Sequence, residues 1–427
     1  MAPVRGTLSL IRALGRDRFA RRLAVIVLAA LCLRIAYVIG LAGDRYSPGP
    51  AGDSIYFHDL ANLIAAGRGF IQPFSLEHFH RVVPTAEHPP LWPLVLAFVT
   101  KLGSGSIVAF RLVSATLGAI TVGLIGLLGR RLAGDRAGLL AGCVAAVHPL
   151  LVAADGSMLS ETLFGLLALA ALLATIWVRG RPTAWRAGVL GALIGLAALT
   201  RGEGLLLILL LALPAVWRPT SGRGLRLGAA VLAAVVALAP WTIRNASAFH
   251  RLVPVSTNDG TLINGANCAP TYHGTLLGFW SVNCRSPISS PNEAKQSAKW
   301  AAEGIRYARR HPGRLLAVVV PVRIMRTLDL WRPAQQVDLA EGRVRWVEAA
   351  GQACFWLLVP LAVYGAVLMR RRRALLWPLG VPPLLALTMS VTGYGYPRFR
   401  FTADLVITIL AGVALAKLLP AGTRRRA

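Results

Sequence analysis

The sequence predicts an all-α, polytopic integral membrane protein. Hydrophobic residues make up 55% of the 427 residues, whereas soluble globular domains are about 45–50% apolar. The apolar residues form runs close to the ~20 residues that a spanning helix needs, and short arginine clusters separate the runs. We therefore expect roughly ten transmembrane helices, with amphipathic helices beside the membrane in the first outer loop.

The expected spans follow directly from the positions of the apolar runs. A further apolar stretch, residues 315–330, is interrupted by Pro321, Arg323, Arg326 and Asp329, and we assign it to an interfacial helix. The spans are expected near residues 23–41, 108–129, 137–154, 161–178, 187–200, 204–217, 227–243, 346–369, 374–392 and 401–419.

The arginine clusters predict the orientation, because basic residues in short loops stay on the cytoplasmic side. Both termini are then cytoplasmic, and residues 44–106 face the outside of the plasma or inner membrane. The net charge of +28 is explained by these topology signals and not by nucleic acid, since the arginines form no single basic face. The clusters include Arg5, Arg12, Arg16, Arg130, Arg131, Arg179, Arg181, Arg218, Arg223, Arg370 to Arg373 and Arg424 to Arg426.

Three parts of the chain follow from this topology. Residues 1–243 form a transmembrane core that includes the outer loop 44–106, residues 244–345 form a long extracytoplasmic loop, and residues 346–427 carry the last helices. Cys268 and Cys284 share the long loop, where they form either a disulfide, which an oxidising compartment permits, or two free thiols.

The first outer loop contains two predicted helices. Apolar residues recur at helical spacing after Asp53, and Gly67 stands where that helix would end. Pro89 and Pro90 interrupt the chain before a second short helix, residues 91–102. The acidic and basic side chains between these helices make the loop the expected active site.

Charged residues that collect on the outer side are candidates for catalysis and substrate binding. A carboxylate such as Asp53 can remove a proton from an acceptor, while guanidinium groups hold a leaving phosphate by charge-assisted hydrogen bonds. In an inverting sugar transfer a single base of this kind is sufficient. The substrate-binding candidates are Tyr56, Asp59, Glu87, His88, Asp155, Glu161, Arg201, Arg244, Arg398 and Arg400.

Simpler roles remain open for most of these residues. Asp53 could be only a helix N-cap, and Asp59 a solvated surface residue. Asp155 and Glu161 could cap neighbouring helices. The arginines could each reach lipid headgroups, and His88 could be interfacial. No Cys/His metal spacing is evident; a divalent cation held by Asp53 and another carboxylate is left open.

The order of the motifs resembles the dolichyl-phosphate-mannose-protein mannosyltransferase-like glycosyltransferases of bacteria, which stand with the aminoarabinose transferases of lipid A in the GT-C fold class. The resemblance covers nearly the whole chain and lies in the ordered series more than in one motif. The series is GDSIYFHDLANLIAAGRGF, EHPPLWPLVLAF, FRLVSATLGAITVGLIGLLGRRLAGDRAGLLAG, LSETLFGLL, LTRGEGLLL, APWTIRNASAFHRLVPVSTNDG and YPRFRF.

The resemblance implies transfer of a sugar from a polyprenyl-phosphate donor to an extracytoplasmic protein, lipid or cell-wall glycan. It implies that Asp53 is the catalytic base and that the basic residues of the last motif lie near the donor. Many relatives have a second acidic residue where this chain has Ser54, and the aminoarabinose transferases have Lys where this chain has His88. Binding of phosphate at His88 could therefore depend on pH.

A transporter or flippase for lipid-linked sugars is the alternative from a different class. Transporters place their binding residues near the bilayer midplane on broken helices, whereas the charged residues here collect at one surface. The sequence therefore favours an enzyme.

Overall fold

The computed structural model describes residues 17–44, 52–217, 221–372 and 376–420. Within these ranges the chain is helical, with one isolated antiparallel bridge, between Ile71 and Pro84, and no strand. Part of the predicted topology signal lies outside the described residues, namely Arg5, Arg12, Arg16, Arg218, Arg373 and Arg424 to Arg426.

The N-terminal half alternates long helices with short helices of the outer loop. α1 continues as a π-helix over Val38–Ala42, a 3₁₀ turn covers Gly202–Leu205, and a second π-helix covers Ile208–Ala212. The helices are α1 (Arg18–Tyr37), α2 (Asp53–Ala65), α3 (Pro73–Phe79), α4 (Leu91–Lys101), α5 (Ile107–Ala133), α6 (Asp135–Val147), α7 (Pro149–Asp155), α8 (Glu161–Gly180), α9 (Ala184–Ala198), α10 (Leu213–Val216) and α11 (Arg223–Phe249).

The C-terminal half begins with the long outer segment and ends with the last long helices. A π-helix covers Leu315–Val319, and 3₁₀ turns cover Gly274–Leu276, Val282–Cys284 and Pro397–Arg400. The helices are α12 (Asn258–Ala266), α13 (Ala269–Tyr272), α14 (Glu293–Arg310), α15 (Pro312–Arg314), α16 (Val320–Thr327), α17 (Pro333–Asp338), α18 (Arg345–Arg371), α19 (Trp377–Thr392) and α20 (Phe401–Leu418).

Six described helices are long and apolar enough to cross a membrane, and a seventh span results if α6 and α7, bent by 62°, are counted as one. The predicted number of ten is therefore not confirmed. α9 accounts for part of the difference, because its 15 residues reach only about 22 Å at 1.5 Å per residue, short of a hydrocarbon core of about 30 Å. The six spans are Arg18–Ala42, Ile107–Ala133, Glu161–Gly180, Arg223–Phe249, Arg345–Arg371 and Pro397–Leu418.

Close helix packing accounts for some of the glycines in the apolar runs. α9 packs against α11, and a Cβ atom added at Gly191 would lie 1.9 Å from the carbonyl oxygen of Ala230. Only glycine permits this approach, which is the usual way in which helices pack inside a membrane.

The loop that the sequence predicts to be outer packs onto one end of the bundle. Apolar side chains of α2 and α4 form one cluster with α5 and α8, centred on the fully buried Trp92. The Trp92 indole N–H donates to the carbonyl oxygen of Met158 at 2.8 Å. Burial of so large a side chain contributes about 2–3 kcal/mol, so α2 and the residues it carries are held on a fixed surface.

The long segment of residues 244–345 contains a disulfide and is tied to that loop through Glu293. The Cys268 and Cys284 sulfur atoms are joined in a disulfide. Glu293, the first residue of α14, accepts hydrogen bonds from the Thr85 hydroxyl at 2.7 Å and from the Ala86 N–H at 2.8 Å. The segment therefore lies against the part of the outer loop that precedes His88.

Candidate active site

Asp53 lies at the start of α2, but it is not the helix N-cap. That position is Gly52, and Asp53 is the first helical residue, so the N-cap alternative is wrong. Its Oδ2 lies 2.7 Å from Nη1 of Arg398, and its Oδ1 lies 3.5 Å from Nε2 of His88. The carboxylate therefore joins the first outer loop to the turn before the last helix.

His88 is held between two aromatic rings of α2. Its ring centroid lies 4.9 Å from that of Tyr56 and 4.9 Å from that of Phe57. The break at Pro89 and Pro90 ends the loop directly after it, so α4 begins at Leu91. This packing fixes the imidazole toward Asp53, and His88 is not a headgroup-level histidine pointing away from the protein.

Arg398 and Arg201 meet on Glu161, the first residue of α8. Nε of Arg398 donates to Glu161 Oε1, and Nη1 of Arg201 donates to the same oxygen, the latter at 2.7 Å. Arg201 also donates from Nε to Glu203 at 2.6 Å. Glu161 therefore brings two guanidinium groups together, and that of Arg398 contacts Asp53. Arg398 is only 7% exposed, which does not fit an arginine that reaches lipid headgroups.

Glu341 also belongs to the cluster, although the sequence did not identify it. Its Oε1 accepts the Ser54 N–H at 2.9 Å, and its Oε2 lies 3.4 Å from Nη1 of Arg398. A Cβ atom at Gly52 would lie 2.5 Å from Glu341 Oε1, so the close approach requires glycine there. The available signal was an acidic residue followed by glycine in the long outer loop, which does not by itself indicate contact with Asp53.

The charged groups of this cluster shift the pKa values of Asp53, His88 and Glu341. Burial opposes the ionised form of Asp53, but Arg398 and His88 outweigh it and hold the pKa well below its usual range. Burial likewise opposes protonation of His88, but Asp53 outweighs it and raises the pKa. For Glu341 burial and the charge of Asp53 act together and raise the pKa to about 7.

Aromatic side chains border the cluster. The Tyr396 hydroxyl donates to the Leu339 carbonyl oxygen at 2.7 Å, which seats the chain before Glu341. The ring of Phe279 stacks edge-on against Tyr394 and Tyr396, with centroids 5.5 and 5.4 Å away. One side of the charged cluster is therefore an aromatic surface.

Three predicted site residues lie away from Asp53. Asp59 is bound to His58 at 2.8 Å, on the far side of α2. Asp155, instead of capping a helix, pairs with Arg34 of α1 at 2.7 Å and accepts the Thr162 hydroxyl. Arg400 is buried against Asp329 at 2.7 Å and Asp404 at 3.1 Å. The ion pairs of Asp155 and of Arg400 lie inside the protein, where they join separate segments of the chain.

Three further predicted residues brace the loop that carries His88. Arg244 donates from Nη1 to the Thr85 carbonyl oxygen at 2.8 Å and from Nη2 to that of Phe70 at 2.9 Å. The Tyr56 hydroxyl lies 3.0 Å from the Thr85 hydroxyl. Glu87 accepts a hydrogen bond from Gln72. These side chains contact the loop and not the Asp53 carboxylate.

Within the described ranges, no group of three or more His, Cys, Asp or Glu side chains is placed to hold a metal ion. The cluster instead combines three carboxylates with two guanidinium groups and one imidazole. Such a site can accept a proton at Asp53 and bind an anion at Arg398, Arg201 and His88.

One protein-family model matches part of the chain. The model of the dolichyl-phosphate-mannose-protein mannosyltransferase family matches residues 87–243. This range contains His88, Glu161 and Arg201 but neither Asp53 nor Arg398. The family resemblance predicted from the ordered motifs is thus confirmed over residues 87–243. A search of the curated proteins found no match.

Solved structures of an archaeal oligosaccharyltransferase share the fold. The apo oligosaccharyltransferase of Archaeoglobus fulgidus superposes with a TM-score of 0.58 and 15% identity over 94% of this chain and 50% of its own. The same enzyme, AglB, with an inhibitory peptide and a dolichol-phosphate gives 0.50 and 16% identity, over 94% and 51%. ArnT from Cupriavidus metallidurans bound to undecaprenyl phosphate gives 0.44 and 16%, over 92% and 77%. This chain thus spans about half the length of the archaeal enzyme.

Proposed function

We propose that this chain, a glycosyltransferase of the GT-C class related to the dolichyl-phosphate-mannose-protein mannosyltransferases, transfers a sugar from a polyprenyl-phosphate donor to an extracytoplasmic acceptor. The observation that carries the proposal is the cluster in which Asp53 lies beside Arg398 and His88, with Arg201 joined to Arg398 through Glu161. The archaeal oligosaccharyltransferase AglB, which shares the fold, has a solved structure in complex with a dolichol-phosphate, which supports a donor of this class.

The cationic side of the cluster would bind the donor phosphate. Arg398 and Arg201 converge on one oxygen of Glu161, and guanidinium groups bind phosphate by paired, charge-assisted hydrogen bonds. Positive charge fixed in a partly dry site stabilises the negative charge that develops on a leaving phosphate. Protonated His88, on the other side of Asp53, adds to that charge.

Asp53 would act as the general base. In the absence of substrate its ion pair with Arg398 makes it a weak base, since the pKa lies below its usual range. A phosphate bound at Arg398 draws the guanidinium away from Asp53, so the basicity of the carboxylate rises only when the donor is present. Asp53 then takes the proton of the acceptor as the acceptor attacks the anomeric carbon, and the phosphate leaves from the opposite face with inversion.

The acceptor would be recognised by residues 244–345. This segment reaches the site at two places: Glu293 binds Thr85 and Ala86 just before His88, and Glu341 binds the start of α2. An acceptor bound by this segment would therefore lie beside the proposed base.

The test is sugar transfer by the purified protein in liposomes, with a panel of synthetic polyprenyl-phosphate sugars as donors. We expect release or transfer of the sugar from at least one donor. Transport of intact donor across the bilayer without sugar transfer would contradict the proposal and favour the transporter alternative.

A further inference from the structure

Glu341 makes two contacts that have different chemical requirements. The bond from the Ser54 N–H to Oε1, at 2.9 Å, needs only an acceptor oxygen. The contact of Oε2 with Arg398, at 3.4 Å, depends on the negative charge. A Gln side chain could keep the first contact and would lose the second.

The chain around Glu341 is seated on both sides. The Glu341 N–H donates to the Tyr396 hydroxyl at 3.3 Å, and the Val344 N–H donates to the Tyr37 hydroxyl at 3.1 Å. Gly342 between them has a φ of +67°, a conformation that glycine adopts without a steric penalty. The carboxyl is therefore aimed at the start of α2 by its backbone.

Arg398 faces more negative charge than it can neutralise. Asp53 lies 2.7 Å from Nη1, Glu341 lies 3.4 Å from the same nitrogen, and Glu161 binds Nε. Arg201 shares Glu161 and His88 faces Asp53, so among the described residues Arg398 is the cation in contact with Glu341. Arg343, two positions after Glu341 in sequence, is bound to Glu348 instead. Glu341 is the carboxylate that this arrangement holds least firmly.

A proton that enters the cluster therefore goes to Glu341. The charged and titratable groups that face it are Asp53, Arg398, Glu161 and the Tyr396 hydroxyl. Burial and the charge of Asp53 raise the pKa of Glu341 to about 7, whereas the pKa of Asp53 lies well below its usual range. Glu341 can become neutral near physiological pH while Asp53 stays ionised.

We propose that Glu341 is a positioning residue that occupies Arg398 until the donor phosphate arrives, and that it then takes up one proton from solvent and releases Arg398 while it continues to hold Ser54. This inference rests on the proposed binding of the donor phosphate at Arg398. It explains how the anionic phosphodiester of the donor can enter a cluster that already holds three carboxylates, because protonation of Glu341 removes one negative charge and leaves the base, Asp53, ready to act.

The experiment measures the Kd of farnesyl phosphate, a short polyprenyl phosphate without sugar, for the full-length protein in nanodiscs between about pH 6 and about pH 8.5. Wild type is compared with Glu341→Gln and with Asp338→Asn, a variant of an exposed carboxylate nearby in the same loop. The ionisation of the ligand itself is common to all three proteins and cancels in the ratio of their Kd values.

We expect Glu341→Gln to bind about tenfold more tightly than wild type at alkaline pH and equally at acidic pH, a coupling of ordinary size. Asp338→Asn should follow wild type. Glu341→Ala, which also loses the Ser54 bond, should reduce sugar transfer far more than Glu341→Gln; a purely structural role would leave the pH profile of Kd unchanged.

Identical pH profiles for wild type and Glu341→Gln would overturn the inference and leave the proposed function intact. Weaker binding by Glu341→Gln at alkaline pH would also overturn it, since Glu341 would then assist the phosphate. If wild type binds no farnesyl phosphate at any pH, both the inference and the proposed function fail.

Discussion

The carboxylate of Asp53 and the guanidinium of Arg398 lie 2.7 Å apart, although one residue stands in the first outer loop and the other directly before the last helix. The contact joins α2 to the turn before α20. It brings an anion that can accept a proton into contact with a cation that can bind phosphate, and the predictions below depend on this pairing.

Substitution of Arg398 should lower catalytic activity, whereas substitution of Arg400 should lower the stability of the fold. Arg398→Gln should lower kcat/KM for the polyprenyl-phosphate sugar by about 100-fold or more, because the variant loses a buried guanidinium that donates hydrogen bonds to the phosphate. Arg400→Gln leaves Asp329 and Asp404 buried without their partner and should lower the stability by about 3–5 kcal/mol. Kinetics and thermal unfolding of both variants check this. Equal loss of activity per folded molecule in the two variants would contradict the assignment.

His88 should set the alkaline limit of donor binding. The charge of Asp53 raises its pKa despite burial, so His88 stays protonated into the neutral range and loses its charge as the pH rises further. His88→Lys retains the charge to higher pH and should extend activity to more alkaline conditions. The measurement is the pH profile of kcat/KM, with His78→Lys on the exposed end of α3 as the control. A profile unchanged by His88→Lys would rule out the role.

Glu293 should make stability depend on pH. Burial and the charge of Glu87 raise its pKa to about 7 from a usual value of 4.5. Its contribution is therefore complete below about pH 4.5 and is lost as the pH rises through about 7. The Tm of wild type should fall more steeply than that of Glu293→Gln between about pH 5 and about pH 8. Glu77→Gln, at an exposed position, serves as the control. Parallel Tm curves for wild type and Glu293→Gln would contradict the prediction.

The disulfide should stabilise the outer segment. Cys268 and Cys284 are separated by 16 positions, and a bond that closes a loop of this length contributes about 3 kcal/mol. Cys268→Ser and Cys284→Ser should each lower the midpoint of thermal unfolding, whereas Cys143→Ser should not. A non-reducing mass map with both thiols free would contradict the bond itself.

The sequence indicates the helices and part of the site because these depend on local pattern. Apolar runs mark α5 and α8, Gly67 with a φ of +77° follows the end of α2, and the break at Pro89 and Pro90 precedes α4. Asp53 and His88 could be placed near each other because they flank one loop.

Contacts between distant parts of the chain could not be obtained in the same way. Arg398 and Arg400 stand two positions apart in sequence, but the 3₁₀ turn sends one to Asp53 and the other to Asp329. Asp155 is an acidic residue of the kind expected in the site, but it forms an ion pair with Arg34 inside the bundle. Glu341 reaches α2 only through the fold of the long outer segment. These choices depend on packing, which a one-dimensional pattern does not contain.

The central claim is that Asp53 is the base of a sugar transfer. The most direct measurement compares sugar transfer by wild type, Asp53→Asn and Asp59→Asn, where Asp59 lies on the same helix but binds His58. We predict that Asp53→Asn binds the polyprenyl-phosphate donor and unfolds near the wild-type temperature but transfers no sugar, while Asp59→Asn remains active. Full transfer by a folded Asp53→Asn protein would contradict the claim.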